Sequence, residues 1–223
     1  MSNNKGLVIL AILSMGLGYA GCAYSGSIHE SLPNNIDPEK RYLFFLHGKI
    51  IEKKGVPARS KKYGSYEYRE MLKTFSSGGF EVISETRGKY TDILEYSSQV
   101  AADVEKLIGA GVPGKNITVS GFSKGGRMTL VVSSLLGDRN VNYVILAGCR
   151  STDIDGYDLR LVGRVLSIYD SNDDKFESCS EIFSAGGDGL EANEIVLSVG
   201  DGHGVFYRPL DEWVKPMIEW AKQ

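Results

Sequence analysis

The sequence has few of the residues from which disulfide scaffolds, metal sites and nucleic-acid-binding surfaces are built. Its 223 residues include 3 Cys and 3 His. Three cysteines are too few for a disulfide-built scaffold, and their spacing does not match a zinc site. The net charge of −3 lacks the basic excess that is typical of a protein with a nucleic-acid partner. We therefore expect no zinc site and no nucleic-acid partner.

Apolar residues, by contrast, are plentiful. They make up 42% of the chain, against 24% charged residues, which is the balance of an ordinary globular domain with a sizeable core. The sequence shows no internal repeat and no sign of a second domain. We predict one domain over residues 41–223.

The first 22 residues have the three parts of an export signal. A short polar start with one lysine is followed by the apolar run GLVILAILSMGLGYA, and small residues lead into Cys22. The ending YAGC resembles the bacterial lipobox, whose cysteine is lipidated and becomes the mature N-terminus, although the usual leucine is here Tyr19. The alternatives are a signal without lipidation that is cut nearby and an uncleaved anchor.

The lipobox-like ending implies a protein of the bacterial cell envelope that is anchored to a membrane by its N-terminal lipid. Alanine follows the cysteine, with no aspartate to suggest inner-membrane retention. The resemblance therefore favours an outer-membrane lipoprotein facing the periplasm or the cell surface, with a soluble periplasmic or secreted protein as the alternative. Residues 23–40 are polar, rich in Pro, Asn and Ser and without periodicity, which predicts a flexible tether.

From residue 41 onward, short apolar runs alternate with helical patterns. Most runs are continuous rather than alternating in hydrophobicity, which is typical of strands buried on both faces of a parallel sheet. We predict strands over 42–48, 80–84, 117–121, 141–148, 164–170 and 194–200. We predict helices over 65–76, 92–110, 124–136, 176–185 and 209–222, the last bent at Pro216. This alternation predicts an α/β fold, a three-layer α/β/α sandwich with a mostly parallel sheet of about six strands.

A serine lies between two glycines in the stretch GFSKGG, residues 121–126. Ser123 follows a predicted strand and precedes a predicted helix. A nucleophile elbow needs this arrangement, because small residues on either side allow the sharp turn that exposes the hydroxyl. Gly121 and Gly126 also have the spacing of a phosphate-binding P-loop, but the Lys-Ser or Lys-Thr that must follow is absent. We therefore predict a nucleophile rather than a phosphate site.

The base that a serine nucleophile needs can be sought among only three histidines. His29 lies in the predicted tether, and His47 closes the first predicted strand. His203 lies in a glycine-rich loop beyond the last strand, from which it can reach the C-terminal edge of the sheet, where reactants gather in open α/β sheets. We predict His203 as the base; the alternative is a loop histidine without a role.

The acid that orients such a histidine is expected after the penultimate strand. The segment SIYDSNDDK offers Asp170, Asp173 and Asp174 there. Asp170 lies at the strand end, whereas Asp173 lies three residues into the loop and has the reach to orient a histidine from the next loop. We favour Asp173 and keep the other two as alternatives.

These motifs, in the order Ser…Asp…His, resemble the α/β-hydrolase family over residues 41–222. The resemblance rests on LHG at 46–48, GFSKGG at 121–126, the YDSNDD loop and GHG at 202–204. It implies that the backbone N–H of Lys49 or Ile50, with that of Lys124, forms the oxyanion hole, and that His47 is structural. The sequence departs from the family in one respect, since the family's N-terminal antiparallel strands have no counterpart before residue 41.

The predicted function is that of an exported serine hydrolase that cleaves an ester or related acyl bond through an acyl-enzyme. This mechanism implies no metal and no organic cofactor. The interval 148–164 is too short for the helical lid of many family members, which favours a small or extended substrate in a shallow, open site. The alternatives are an amidase or peptidase acting on an envelope component, and a binding protein that keeps the fold without turnover.

The loop after LHG is basic. Its cationic residues are Lys49, Lys53, Lys54, Arg59, Lys61 and Lys62. This loop attracts an anionic substrate, contacts a membrane or envelope polymer, or is simply a solvated surface, and the sequence leaves all three open.

Two cysteines, Cys149 and Cys179, follow strands that are expected to be neighbours in the sheet. Their loops should therefore emerge side by side at the active-site edge, and export would place both thiols in an oxidising environment. We predict a disulfide between them that holds the acid loop. The alternative is two buried, unpaired cysteines.

Overall fold

A parallel β-sheet forms the centre of the computed structural model, which describes residues 25–137 and 140–223. The strands of these residues are β1 (Ile28–His29), β2 (Arg41–Leu46), β3 (Ala58–Ser60), β4 (Gly64–Tyr66), β5 (Phe80–Ile83), β6 (Ile117–Phe122), β7 (Asn142–Leu146), β8 (Gly163–Asp170) and β9 (Leu190–Leu197). Strands β3 and β4 form a separate antiparallel hairpin. The other seven form one sheet in the order β1-β5-β2-β6-β7-β8-β9, with every pairing parallel.

Helices cover both faces of this sheet. They are α1 (Lys49–Lys54), α2 (Tyr68–Ser77), α3 (Ile93–Gly109), α4 (Lys124–Leu136), α5 (Asp153–Tyr157), α6 (Ser180–Ser184) and α7 (Asp211–Lys222), with 3-10 turns at Gly114–Asn116 and Gly202–Tyr207. The apolar sides of α3 and α4 pack in one core layer, and those of α2 and α7 pack in the other. The predicted three-layer α/β/α sandwich is confirmed, with seven sheet strands rather than about six because β1 adds a two-residue edge.

Strand β2 shows why the sheet strands are apolar without interruption. Tyr42, Phe44 and Leu46 point into the core layer of α3 and α4, whereas Leu43 and Phe45 point into the layer of α2 and α7. Successive side chains of a strand point to opposite faces, so both sets are buried only when helices cover both faces. The continuous run YLFFL is therefore what this central position requires.

Helix α3 begins and packs as its sequence predicts. The carboxylate of Asp92 accepts the N–H of Glu95 at 2.9 Å and caps the first turn. Val100, Val104 and Leu107 form the buried stripe that faces the sheet and α4. Through this stripe, α3 packs against α4, the helix that follows β6.

Residues 25–40 lie against the domain, so the prediction of a flexible tether is wrong for this part of the chain. β1 pairs with β5, with Ile28 opposite Val82, and Leu32 and Ile36 pack against the core. These apolar residues are too few and too irregularly spaced to produce a periodic pattern, which is why the sequence predicts a linker.

Two predicted boundaries are also wrong. The helix expected over 65–76 begins only at Tyr68, because Gly64–Tyr66 pairs with Ala58–Ser60. The last strand, expected over 194–200, is Leu190–Leu197. Its first half is polar because it lies at the exposed sheet edge, and so it carries no apolar signal.

Within 25–137 and 140–223, none of the helices is both long and apolar enough to span a bilayer. The predicted export signal, including Cys22, lies outside the described residues.

Candidate active site

Ser123 occupies the turn between β6 and α4 in a strained backbone conformation. Its φ of 58° and ψ of −115° lie in a region that residues with a Cβ rarely adopt. The N–H of Ser123 donates to the carbonyl of Leu146 at 2.9 Å and anchors the turn to β7. The turn therefore holds the hydroxyl at the C-terminal edge of the sheet, as a nucleophile elbow requires.

The two glycines around Ser123 are required by close backbone approach. A Cβ on Gly121 would overlap the backbone of Gly125, and a Cβ on Gly125 would overlap the carbonyl of Leu46. Only glycine lets α4 start this close to β2 and β6. The G-x-S-x-G pattern thus has a steric cause in this fold.

His203 lies between Ser123 and Asp173. Its Nε2 is 3.1 Å from Ser123 Oγ, and its Nδ1 is 2.8 Å from Asp173 Oδ2. An ionised carboxylate only accepts hydrogen bonds, so Nδ1 carries the proton and the lone pair of Nε2 faces the serine hydroxyl. The structure brings the three residues favoured from the sequence into one hydrogen-bonded row.

The carboxylate of Asp173 is itself held in place. Its Oδ1 accepts the N–H groups of Lys175 at 2.8 Å and Phe176 at 3.2 Å. The side chain is fully buried. These contacts leave Oδ2 free to orient His203, which is the role that a triad acid plays.

Two aromatic rings enclose the imidazole of His203. Phe176 stacks on it with centroids 5.3 Å apart, and Phe122 packs at 4.7 Å from the other direction. Phe122 directly precedes the serine, so the elbow itself supplies one wall. The two rings restrict how the imidazole can turn away from Ser123 Oγ.

Asp170, the first alternative acid, serves the backbone instead. Its buried carboxylate accepts four N–H groups, those of Asn172, Val199, Gly200 and Gly202, at 2.9–3.3 Å. These bonds also explain why β9 ends at Leu197. Asp170 therefore fixes the loop that delivers His203 but does not contact the imidazole.

Asp174, the second alternative, is exposed and lies 3.0 Å from Lys62 Nζ. A hydrogen bond from Lys62 lowers the pKa of this carboxyl. The remaining histidine outside the sheet core, His29, lies on β1 with its Nε2 2.8 Å from Glu81. Neither residue reaches Ser123.

His47 is buried and closed to proton transfer. Its Nε2 accepts the backbone N–H of Arg87 at 2.9 Å, and its Nδ1 donates to the carbonyl of Gly48 at 3.0 Å. The Arg87 guanidinium also donates to the carbonyl of His47. Burial first, and then the charge of Arg87, lower the pKa of His47 to about 3. The geometry agrees with the structural role that the resemblance implies for His47.

The three backbone positions expected to bind an oxyanion surround the serine. Lys49 and Ile50 form the first turn of α1, and Lys124 is the first residue of α4. All three line the cavity that contains Ser123. First-turn N–H groups have no partner within their own helix, so they are available to an incoming acceptor.

A buried ion-pair network connects these two helix starts. Glu52 of α1 accepts from Lys124 Nζ at 2.6 Å and from Arg87 Nε at 3.2 Å. The Glu52 and Arg87 side chains are almost entirely buried, and that of Lys124 is 13% exposed. The network ties α1 to Lys124, the residue that follows the nucleophile. It therefore holds the first-turn N–H groups of α1 at a fixed distance from the N–H of Lys124.

A disulfide joins the loop after β7 to the acid loop. Cys149 and Cys179 are bonded, with Cα atoms 5.2 Å apart and a sequence separation of 30. Next to it, the N–H of Glu177 donates to the carbonyl of Cys149. A loop of this length is worth on the order of 3 kcal/mol in the chain-entropy model. The bond is the pair predicted from the sequence, and it restrains the segment that carries Asp173.

No protein-family model and no curated protein matches the sequence. Solved structures do resemble it. A predicted CIB-like hydrolase of Thermoplasma acidophilum is 16% identical, with a TM-score of 0.56 over 84% of this chain and 89% of the other. The protein has the α/β-hydrolase fold.

Two esterases share this fold. An acetyl xylan esterase of Paenibacillus sp. R4 is 13% identical, with a TM-score of 0.53 over 86% of this chain and 77% of the other. Esterase PE8 is 14% identical, with a TM-score of 0.53 over 87% and 96%. At identities this low, the structural similarity establishes the fold alone. The substrate and the chemistry have to be argued from the residues of the site.

The cavity above Ser123 is the opening that this α/β-hydrolase fold offers to a substrate. Its volume is about 500 Å³. Ser123 and His203 lie in its wall together with Phe176 and Tyr207. The hairpin of β3 and β4 borders it, because Tyr63 in the hairpin turn lies with its ring centroid 6.1 Å from that of His203.

Some parts of this site have no signal in the sequence. The Glu52–Lys124 pair joins residues 72 positions apart, and nothing near Phe176 in the sequence indicates that its ring packs on His203. The hairpin and α1 lie in a stretch that the sequence describes only as a basic loop.

Proposed function

We propose that the protein is a serine hydrolase that cleaves an ester through a covalent acyl-enzyme. The observation that carries the proposal is the row Ser123 Oγ–His203 Nε2 and His203 Nδ1–Asp173 Oδ2, at 3.1 Å and 2.8 Å. The row lies in the wall of a cavity, and it begins at a serine held in a strained turn. A serine hydroxyl is a weak nucleophile unless a base of this kind faces it.

The reaction proceeds in two halves. Ser123 Oγ attacks the ester carbonyl while His203 Nε2 takes its proton, and Asp173 stabilises the imidazolium that forms. His203 then gives the proton to the leaving alcohol, which breaks the ester bond and leaves the acyl group on Ser123. Water attacks this acyl-enzyme while His203 takes its proton, and His203 then returns the proton to Ser123 Oγ as the acid is released.

Backbone donors stabilise the negative charge of each tetrahedral intermediate. The N–H of Lys124 and that of Lys49 or Ile50 are the proposed donors, since these residues line the cavity beside the serine. Donors that are already in place in a partly enclosed site cost no reorganisation during the reaction. The Glu52–Lys124 ion pair supports this arrangement by holding α1 against α4.

The test is a panel of p-nitrophenyl esters, thioesters and peptide amides, assayed with the wild type and with Ser123→Ala. We expect ester hydrolysis that Ser123→Ala abolishes. Faster cleavage of the amides would make the protein an amidase or peptidase. A folded wild type that turns over none of these compounds would point to a binding protein.

We also propose that the protein works in the cell envelope, anchored by a lipid on Cys22. The Cys149–Cys179 disulfide supports this, because such bonds persist in oxidising compartments. Cys22→Ser should release the protein from the membrane fraction or stall its processing. Wild-type protein found wholly soluble in the periplasm or medium would contradict the proposal.

A further inference from the structure

We propose that this site acts on an ester that carries a negative charge, as a carboxylate or a phosphate, close to the scissile bond. The inference rests on the proposed hydrolase function and names its substrate class. It follows from the charges around the cavity and from the partners that those charges have.

The cavity is lined by cations and by no carboxylate. Eight of its 17 lining residues are lysine or arginine, and none is aspartate or glutamate among the residues that the structure describes. The whole chain, by contrast, has 28 acidic and 25 basic residues. The positive charge is therefore a local property of this cavity and not of the protein.

Two of the eight cations have a carboxylate partner within the protein. Lys124 pairs with the buried Glu52 at 2.6 Å. Arg127 forms two hydrogen bonds to Asp153, at 2.6 Å and 2.8 Å. These two residues build the elbow and its surroundings, and each already has a carboxylate partner, although Lys124 shares Glu52 with Arg87.

Six cations remain, and none has a carboxylate within 4.0 Å in the described part of the chain. They are Lys49, Lys53, Lys54, Lys61, Arg150 and Lys175. Lys54 Nζ donates to the carbonyl of Arg59, which fixes the side chain without neutralising it. Several uncompensated charges of one sign around a concave surface create a potential that concentrates ions of the opposite sign.

The six cations approach the site from two sides. Four lysines belong to α1 and the hairpin, on the side of the proposed oxyanion donors. Arg150 and Lys175 belong to the two loops that the disulfide joins. Arg150 Nε donates to the carbonyl of Lys175 at 3.1 Å, and its guanidinium lies 4.5 Å from the ring of Phe176. That ring also stacks on His203, so the arginine and the histidine contact the same ring.

The basic stretch differs from an ordinary solvated surface, in which acidic and basic side chains alternate. Residues 49–62 contain six cationic residues, and Glu52 is their one acidic residue. Of the six, Lys62 pairs with Asp174. Glu52 points inward, to Lys124 and Arg87. The charged side chains that this stretch presents outward are therefore all positive.

A substrate, rather than a membrane surface, is the partner that this geometry fits. The cations line the walls of a cavity of about 500 Å³ that opens on Ser123. A flat lipid surface would meet only the rim of such a cavity. An anionic group on a small ester, by contrast, can contact lysine or arginine while its carbonyl lies at the serine.

The test compares an anionic and a neutral ester of similar shape. Mono-p-nitrophenyl glutarate and p-nitrophenyl valerate differ in charge on the acyl arm, and 4-acetoxybenzoate and 4-acetoxybenzamide differ in charge on the alcohol arm. The readout is the ratio of kcat/KM for the anionic ester to that for its neutral partner. A general loss of activity in a variant lowers both values equally and therefore cancels in this ratio.

The variant is Lys53→Gln/Lys61→Gln, and its matched control is Lys115→Gln/Lys222→Gln. The control lysines are also exposed, but they lie near the starts of β6 and β5, at the opposite end of the sheet. We expect the ratio for at least one pair of esters to fall about tenfold in the variant, from the loss of two nearby charges, and to stay at the wild-type value in the control. Added salt should lower the wild-type ratio and affect the variant less.

A ratio that is equal in wild type and variant for both pairs of esters, and insensitive to salt, would overturn the inference. Failure of the proposed function would look different, since neither ester would then show turnover that depends on Ser123. In that case calorimetric titration with glutarate and with inorganic phosphate decides the anion site alone. Binding that the variant loses and the control keeps supports it, and equal or absent binding in all three proteins overturns it. The two titrants also separate a carboxylate site from a phosphate site.

Discussion

The loop after β2 and the loop after β9 each deliver a buried histidine to the same edge of the sheet, yet the two histidines face different partners. His47 is fully buried and His203 is 4% exposed, so burial does not separate them. The ring of His47 is satisfied by backbone groups, the N–H of Arg87 and the carbonyl of Gly48. The ring of His203 is held by a carboxylate on one side and faces a hydroxyl on the other.

The charged groups around the two histidines also differ. Burial first, and then the charges of Arg87 and Lys124, lower the pKa of His47 to about 3. His203 has the carboxylate of Asp173 at its Nδ1 and the hydroxyl of Ser123 at its Nε2. The groups that face the ring nitrogens therefore distinguish a histidine that can move a proton from one that cannot.

The largest effect should separate the two histidines by activity. Ser123→Ala and His203→Ala should each lower kcat roughly ten-thousand-fold or more, and by similar amounts, because the pair acts as a unit. His47→Gln should retain activity within about tenfold once corrected for folded protein, since a group of such low pKa takes no part in proton transfer. Kinetics on p-nitrophenyl acetate measure all three. A loss in His47→Gln as large as that in His203→Ala would reverse the comparison.

The second prediction concerns the two aspartates of the acid loop. Asp173→Asn should lower kcat roughly a thousand-fold or more while leaving the free energy of unfolding little changed, because the imidazole loses its orienting carboxylate. Asp170→Asn should do the opposite, because the amide turns donors toward N–H groups that need an acceptor, at a cost of about 2 kcal/mol.

Urea unfolding and kinetics on the same samples separate these two effects. If Asp170→Asn stayed fully stable and lost more activity than Asp173→Asn, the assignment of the acid would be wrong.

The third prediction addresses the ion pairs beneath the proposed oxyanion donors. Glu52→Gln leaves Arg87 and Lys124 buried without a carboxylate, which should cost about 3 kcal/mol of stability. It should also lower kcat about tenfold or more with little change in KM, because α1 and α4 are no longer held at their distance. The matched control is Glu70→Gln, which breaks the exposed pair with Lys73 and should cost well under about 1 kcal/mol. Unchanged kcat in folded Glu52→Gln would remove the positioning role.

The last prediction concerns the contribution of His47 to the pH dependence of stability, which does not involve activity. Its folded-state pKa of about 3 lies below the ordinary 6.5, so the unfolded chain binds this proton first. The contribution to stability is therefore complete above pH 6.5 and is lost as the pH falls from 6.5 toward 3. Across this window the wild type should lose up to about 1.4 kcal/mol per pH unit more than His47→Gln. Equal slopes in urea unfolding at several pH values would show that His47 does not titrate as described.

Much of the fold and the triad could be predicted because their signals are local. The turn around Ser123 needs glycines at fixed offsets, and strands covered on both faces need continuous apolar runs. Asp173 could be favoured over Asp170 by reach alone. Only the structure shows that the carboxylate of Asp170 already accepts four backbone N–H groups.

The parts that could not be predicted depend on contacts between distant segments. The hairpin is held by packing, since the ring of Tyr66 lies 5.1 Å from that of Tyr207 and 5.9 Å from that of Phe122. The charged residues Glu52 and Arg87 are buried only because they pair across 35 positions. Such pairs produce no periodic pattern in the sequence. A charged residue indicates an exposed position until its partner is known.

The central claim is that His203, and not His47, activates Ser123 as a nucleophile. Labelling with a fluorophosphonate probe, followed by peptide mass mapping, tests it most directly. The account predicts one adduct, on Ser123, that forms at a similar rate in wild type and His47→Gln and much more slowly in His203→Ala. No adduct on folded wild-type protein, an adduct on another residue, or equal labelling rates in wild type and His203→Ala would contradict it.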